Sequence, residues 1–173
     1  MPKPIPFKTR FLLSLSVLLL FSGCYTSLAV VTQNYKYDNN ISFTVDEVKE
    51  GYSISTGNGY YYPKGGNKFV FLFVTLKNST DQTQKLDFGN FYLLDPKSHT
   101  KYKTELVMLE SVVNLFGNVD SDIQRNDTKK RKLIFSFPKD EKAEMFSVNG
   151  VIHHIQYSKT ATVNDGDNTA NGN

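Results

Sequence analysis

The stretch that most constrains the fold is a run of eight residues in the middle of the chain, residues 69–76, in which only Thr75 is polar. Successive side chains of a β-strand point to opposite faces, so this run places apolar groups on both faces. Such a strand has to be covered on both sides. Residues 68–77 are therefore predicted to form a central strand, which ends in the turn residues Asn78-Ser79-Thr80-Asp81.

Other segments repeat the two-residue period of a strand. Residues 41–45 alternate between apolar and polar side chains, residues 133–137 form a second apolar strand, and Asn149-Gly150 is a strong type I′ hairpin signal. The chain has 13 Phe and 10 Tyr but no Trp, and clusters of Asn, Gly, Ser and Thr separate its apolar runs. We predict an all-β domain over residues 35–159, a β-sandwich of about six to eight short strands.

One segment has a different period. Leu106, Leu109 and Phe116 recur at helical spacing, and Gly117 could end a helix. The sequence therefore predicts one short helical crossover over residues 105–116. Residues 160–173 show no hydrophobic pattern and are predicted to be a disordered tail.

Residues 1–23 have the composition of an export signal. Residues 1–10 are basic, and residues 11–21 form an apolar run of 11 residues, too short to cross a bilayer core as a helix. A signal peptide helix is therefore favoured over a permanent membrane span. The run ends in Phe21-Ser22-Gly23-Cys24, and Cys24 is the only cysteine of the chain.

This ending predicts a bacterial lipoprotein signal, cleaved between Gly23 and Cys24, with acyl chains attached to Cys24. An ordinary signal peptidase needs a small side chain three residues before the cut, where Phe21 stands. Lipidation also explains a lone cysteine that cannot form an internal disulfide. The alternative is a cut after Ser27-Leu28-Ala29, which would release a soluble protein.

We expect residues 24–34 to be a lipidated tether that holds the domain at a membrane, outside the cytoplasm. One acyl chain binds only marginally, but two or three on one cysteine give stable anchoring. In a cell with two membranes the outer membrane is expected, because Tyr25 supplies no acidic retention signal. In a cell with one membrane the anchor lies in the outer face of the cytoplasmic membrane.

The net charge of +3 arises in the leader. Of the 20 basic residues, Lys3, Lys8 and Arg10 fall in residues 1–23, which leaves 17 to balance the 17 acidic residues. A neutral domain argues against nucleic acid as a partner.

The basic stretch Lys129-Lys130-Arg131-Lys132 is interpreted as a solvated turn before a strand, with contact to phosphate or anionic lipid as the alternative.

No residue set predicts an enzyme, a metal site or a cofactor. The sequence has no phosphate-binding glycine motif and no nucleophile motif, and its polar residues do not form acid–base sets. His153 and His154 are adjacent, so on a strand they point to opposite faces and cannot easily share a metal. Asp120, Asp122 and Asp127 lack the Gly and the terminal Glu of a calcium loop.

Four segments together resemble one protein family. They are Ile41-Ser42-Phe43-Thr44-Val45-Asp46-Glu47-Val48, the central strand of residues 66–78, Phe91-Tyr92-Leu93-Leu94-Asp95, and Leu133-Ile134-Phe135-Ser136-Phe137-Pro138-Lys139-Asp140. Over about residues 35–157 the chain resembles the DUF4352 family of bacterial extracytoplasmic proteins. The resemblance implies an immunoglobulin-like (telokin-like) β-sandwich, often carried behind a lipoprotein signal. It implies no active site.

Aromatic side chains make up the candidate partner surface, which consists of Phe69, Phe71, Phe73, Tyr60, Tyr61 and Tyr62. Alignment to the family on Asn78 places the three phenylalanines on one face of the central strand. Either residues 105–116 or the tyrosine loop packs over them, or they form an exposed patch for a partner. The tyrosines lie among glycines, which is typical of recognition loops and also of an edge strand.

We predict that the domain is a non-catalytic binding module of the cell envelope, whose partner is another envelope protein or a second copy of the chain. The alternative is a structural or envelope-stress spacer without a specific ligand. A third hypothesis is that the tyrosine loop binds a carbohydrate or another small ligand.

Overall fold

The computed structural model describes residues 25–55, 59–109 and 121–158. The predicted signal peptide, including Gly23, and the lipidation residue Cys24 lie outside the described residues, as does the predicted tail 160–173. No helix within the described ranges is long and apolar enough to span a membrane.

The described chain forms thirteen β-strands and one turn of 3₁₀ helix, Phe88–Asn90. In chain order the strands are β1 Thr26–Leu28, β2 Asn34–Lys36, β3 Ile41–Gly51, β4 Ile54–Ser55, β5 Tyr60–Tyr61, β6 Asn67–Asn78, β7 Gln84–Lys85, β8 Phe91–Leu94, β9 Lys101–Leu109, β10 Asp122–Ile123, β11 Thr128–Pro138, β12 Met145–Val148 and β13 Val151–His154.

The strands form a larger and a smaller antiparallel sheet that share one strand. β1, β3, β6, β11 and β9 pair in that order in the larger sheet, and β2 also pairs with β3. β9, β8, β12 and β13 follow one another in the smaller sheet. β9 belongs to both because residues 101–103 pair with β8, and Thr104 and residues 106–109 pair with β11. β4 with β5, and β7 with β10, form two separate pairs.

The main core lies between these two sheets. Residues from both sheets pack there, and Val70, Leu72, Phe91, Phe135 and Phe146 are each at most 2% exposed. Removing such large apolar side chains from water is the main favourable contribution to folding. The predicted all-β sandwich is confirmed.

β6 is the central strand that the two-faced apolar run predicts. It pairs with β3 along one edge and with β11 along the other. Its residues Val70, Leu72, Val74 and Leu76 point into the main core, as predicted, and Phe69 and Phe71 belong to a second cluster on the opposite face. The larger sheet is therefore covered on both faces.

A β-bulge at Asp46 explains why the alternation in β3 is interrupted. The register with β6 shifts between Val45 and Glu47, so that Val45 and Val48 both reach the main core. The Asp46 carboxylate accepts hydrogen bonds from the hydroxyl groups of Thr44 and Thr75. This places Glu47, Lys49 and Gly51 on the outer face of the larger sheet.

The predicted helical crossover is wrong for its first part, because residues 105–109 are the end of β9. Residues 110–116 lie outside the described residues. Leu109, which contributed to the helical spacing, is 42% exposed and belongs to no packed stripe. A register shift opposite Ile134 and Phe135 leaves Glu105 unpaired in β9, which disturbs the two-residue period there.

Residues 25–34, predicted as a tether, are part of the fold. β1 pairs with β3, and the following residues pair with the segment after β13. The Val31 N–H donates to the Gln156 carbonyl oxygen at 2.7 Å, and the Ser158 N–H donates to that of Ala29 at 3.0 Å. The tether prediction is therefore wrong, since this segment joins the β3 edge of the larger sheet to the last described residues.

Asn78, the last residue of β6, is fully buried and binds three carbonyl groups. Its Nδ2 donates to the carbonyl oxygens of Gln82 at 2.7 Å, Ile123 at 3.2 Å and Gln124 at 3.0 Å. Its Oδ1 accepts from the backbone N–H of Thr80 at 2.9 Å and from the Thr80 hydroxyl at 2.8 Å. One side chain thus fastens the turn after β6 to β10.

The hairpin between β12 and β13 turns at Asn149 and Gly150, as predicted. Both residues have positive φ, 49° and 82°, which is the requirement of a type I′ turn. The Asn149 side chain also donates to the carbonyl oxygen of Tyr37 at 2.7 Å, which ties the hairpin to the segment after β2.

A largely buried ion pair and a partly buried tyrosine lie at the end of the main core where β6 begins. Lys68 Nζ lies 2.8 Å from Glu50 Oε2, and the two side chains are only 8% and 19% exposed. The Tyr157 hydroxyl donates to the Ala143 carbonyl oxygen. Burial, together with the negative charges of Glu50 and Glu144, raises the pKa of Tyr157 well above its usual value.

Candidate docking surface

The outer face of the larger sheet carries the second apolar cluster. Its buried members are Ile54, Phe69, Phe71, Met108 and Ile134, with Phe73 and Leu106 packed partly buried against them. Phe69 is 0% and Phe71 is 4% exposed. The alternative of an exposed patch is therefore wrong for these two phenylalanines, because other side chains already cover them.

Tyr25, which immediately follows Cys24 in the chain, covers Phe71. The two rings meet edge to face with centroids 5.4 Å apart, and the Tyr25 hydroxyl donates to the Ser53 carbonyl oxygen at 2.8 Å. The approach needs a glycine below the ring, since a Cβ at Gly51 would lie 2.6 Å from Tyr25 Cδ1. Partial burial of Tyr25 raises the pKa of its hydroxyl.

The β4–β5 pair covers Phe69 and presents the other tyrosines. Tyr61 stacks on Phe69 with ring centroids 5.5 Å apart, which confirms that the predicted tyrosine loop packs over the phenylalanines. Burial and the nearby Glu105 carboxylate raise the pKa of Tyr61. Besides Tyr25, at 48%, four tyrosines of the described chain are exposed: Tyr52 at 62%, Tyr60 at 63%, Tyr61 at 44% and Tyr62 at 64%.

Between Tyr25 and the β4–β5 pair lies a groove of about 260 Å³. Its lining residues are Tyr25, Lys49, Ile54, Ser55, Phe71, Phe73, Met108 and Lys132. The ammonium groups of Lys49 and Lys132 lie 4.9 and 5.2 Å from the Phe73 ring centroid, a cation–π arrangement. Lys49 Nζ also lies 3.0 Å from Glu47 Oε2. We call the groove together with Tyr25 and the exposed tyrosines the docking surface.

Six residues that line the groove were not assigned to this surface from the sequence: Tyr25, Lys49, Ile54, Ser55, Met108 and Lys132. Lys49 pairs with Phe71, and Lys132 pairs with Phe73, so both lie on the same face as the phenylalanines. Strand register decides this placement, and a single sequence does not contain it. Tyr25 was assigned to the tether, and nothing in its sequence neighbourhood indicates that it packs on Phe71.

The remaining candidate groups do not come together. Among the described residues, no three or more His, Cys, Asp or Glu side chains lie close enough to hold a metal ion. His153 packs between the rings of Tyr35 and Phe146, and burial lowers its pKa, whereas His154 is exposed. Asp122 lies on β10, and Asp120 lies outside the described residues.

Residues 33–162 match the family described as "Domain of unknown function (DUF4352)". The chain belongs to the DUF4352 family. The sequence resemblance is thereby confirmed, and the DUF4352 match includes every strand from β2 to β13. β1 and Tyr25 precede the DUF4352 match, so the docking surface combines DUF4352 residues with a residue outside it.

Two solved structures are similar to this DUF4352 chain. A conserved hypothetical protein from Bacillus anthracis has a TM-score of 0.54 at 16% identity, covering 78% of this chain and 97% of that one. An uncharacterized beta-sandwich protein from Clostridium difficile has a TM-score of 0.50 at 16% identity, covering 76% and 93%. At this identity the likeness shows the fold alone. No curated protein matches the chain.

Proposed function

We propose that this chain is a bacterial lipoprotein, anchored outside the cytoplasm by acyl chains on Cys24, whose β-sandwich is a non-catalytic binding module of the cell envelope. The anchor lies in the outer membrane of a two-membrane cell, and otherwise in the outer face of the cytoplasmic membrane. The binding surface is the docking surface, because it combines four exposed tyrosines with a groove.

The observation that carries this proposal is that Tyr25 and β1 are packed parts of the fold. A cut between Gly23 and Cys24 keeps both of them. The rival cut after Ala29 would delete Tyr25 and β1. It would expose Phe71 and unpair one edge of β3.

Metabolic labelling with a fatty-acid analogue tests the anchor. We expect label in the wild-type protein and none in Cys24→Ala, which lacks the only thiol of the chain. Mass spectrometry of the processed protein should show a chain that begins at residue 24. Label retained in Cys24→Ala, or a chain that begins at residue 30, would refute lipidation at this residue.

Photo-crosslinking in intact cells tests the binding module. A photoreactive side chain in place of Tyr60 or Tyr62 is expected to form adducts with envelope components. The same group in place of Val151, which is 56% exposed and lies on β13 of the smaller sheet, is the matched control. If neither position forms an adduct, the domain acts as a spacer and the binding proposal is wrong.

A further inference from the structure

We propose that the docking surface binds the lipid headgroup layer of the anchoring membrane, so that the outer face of the larger sheet lies against the bilayer. The inference rests on the proposed lipidation of Cys24 and adds an orientation and a contact chemistry to it. The domain would then be held at two points, by its acyl chains and by its aromatic face.

The position of the attachment residue supports this orientation. Cys24 is bonded directly to Tyr25, and consecutive Cα atoms are about 3.8 Å apart, so the acyl chains are attached one residue before the docking surface. Tyr25 is held there by the Phe71 ring and by the Ser53 carbonyl oxygen. In the described part of the chain, sheet pairing starts at Thr26, two residues after the attachment residue.

The exposed side chains around the attachment point have the chemistry of a membrane interface. A tyrosine ring is apolar at its body and polar at its hydroxyl, and tyrosines are enriched at headgroup depth. A chain of ring contacts runs from Tyr25 through Phe71 and Phe69 to Tyr61, so an exposed tyrosine lies at each end of the buried cluster. Five of the large hydrophobic side chains exposed in the described part of the chain are Tyr25, Tyr52, Tyr60, Tyr61 and Tyr62.

The groove carries positive side chains with a negative one beside them, so it can contact a headgroup layer that is neutral or anionic. Lys49 and Lys132 lie over Phe73 and can reach phosphate groups while their stems stay on the ring. Glu47 lies beside Lys49, so the face is not uniformly basic. We therefore expect binding to depend on the tyrosines more than on anionic lipid, and to persist at high salt.

Spin labels at two positions of the full-length lipidated protein test the orientation. Lipidation consumes the thiol of Cys24, so an introduced cysteine is the only free one. Ser55→Cys places the label on the docking surface. Ile152→Cys is the control, because Ile152 is 49% exposed and lies on a strand of the smaller sheet.

In vesicles of equal parts phosphatidylethanolamine and phosphatidylglycerol, the Ser55→Cys label should be severalfold less accessible to a water-soluble relaxant than the Ile152→Cys label. Adding Tyr60→Ser and Tyr62→Ser should raise accessibility at position 55 and leave position 152 unchanged. Gly51→Ala should act in the same direction, because its methyl group displaces the Tyr25 ring. Circular dichroism checks that each variant remains folded.

Three outcomes would overturn the inference in distinguishable ways. If the protein fails to float with vesicles, the lipid anchor itself is wrong. If it floats but both labels are equally accessible, the anchor stands and the membrane contact is wrong. If protection at position 55 disappears when the protein is diluted within the vesicles, or needs envelope extract, the surface binds a second copy or an envelope protein instead.

Discussion

Replacing Asn78 with alanine should cost more stability than any other single polar truncation in the turn after β6. The substitution removes hydrogen bonds to three carbonyl oxygens, to one backbone N–H and to one hydroxyl. The Ile123 carbonyl contact is buried, so water cannot replace that donor directly. Each net bond contributes about 1 kcal/mol, and a buried acceptor left unpaired costs about 1–3 kcal/mol, so we expect a loss of roughly 3–5 kcal/mol.

Urea unfolding followed by far-ultraviolet circular dichroism measures this loss. With a slope of about 2 kcal/mol per molar urea, the midpoint should fall by roughly 2 M. Such a loss is a large fraction of the roughly 5–15 kcal/mol that keeps a domain folded. The Asn78→Asp variant should be less stable still at neutral pH, because its carboxylate oxygen would face three carbonyl oxygens, and it should recover partly on acidification.

Asn40→Ala is the matched control. Asn40 is exposed, and its side chain makes one hydrogen bond, of 3.3 Å, to the side chain of Gln84. Its truncation should change the free energy of unfolding by no more than about 0.5 kcal/mol. If Asn78→Ala lost no more stability than Asn40→Ala, the carbonyl-binding role of Asn78 would be refuted.

Three further predictions use the same unfolding measurement. Burial raises the pKa of Tyr157, so its neutral form stabilises the fold below about pH 10, and this contribution is lost at higher pH. Tyr157→Phe should therefore lose less stability than the wild type between about pH 9 and pH 11. Burial lowers the pKa of His153, so stability should fall as the pH drops below about 6.5, and His153→Phe should weaken that fall. Glu50→Gln leaves the buried Lys68 ammonium without its counter-charge and should lower the free energy of unfolding by about 3 kcal/mol. Glu144→Gln breaks an exposed ion pair and should lower it by less than about 1 kcal/mol. An equal effect of the two glutamate substitutions would contradict the burial argument.

The central strand and the type I′ hairpin could be predicted because local rules decide them. The two apolar faces of β6 require cover on both sides, and Asn149-Gly150 accepts positive φ at both turn positions. β9 could not be predicted in the same way. The unpaired Glu105 interrupts the two-residue alternation of its side chains, and the exposed Leu109 lies at helical spacing from Leu106.

The docking surface was only partly visible in the sequence. Of the predicted residues, Tyr60, Tyr61 and Tyr62 are exposed and Phe73 is partly buried, whereas Phe71 is the buried floor of the groove and Phe69 lies under Tyr61. Which residues cover that floor depends on long-range packing of Tyr25 and Tyr61. The sequence identifies the aromatic side chains, but it does not show which of them are buried in the cluster and which are exposed.

The pairing of residues 29–31 with residues 156–158 sets the order in which the sandwich can be completed. The two segments lie near opposite ends of the described chain. A contact between residues so distant in sequence forms slowly. Until it forms, Val30 lacks its bridge partner, and the incompletely folded chain presents an unpaired edge on which a chaperone or another chain can add a strand.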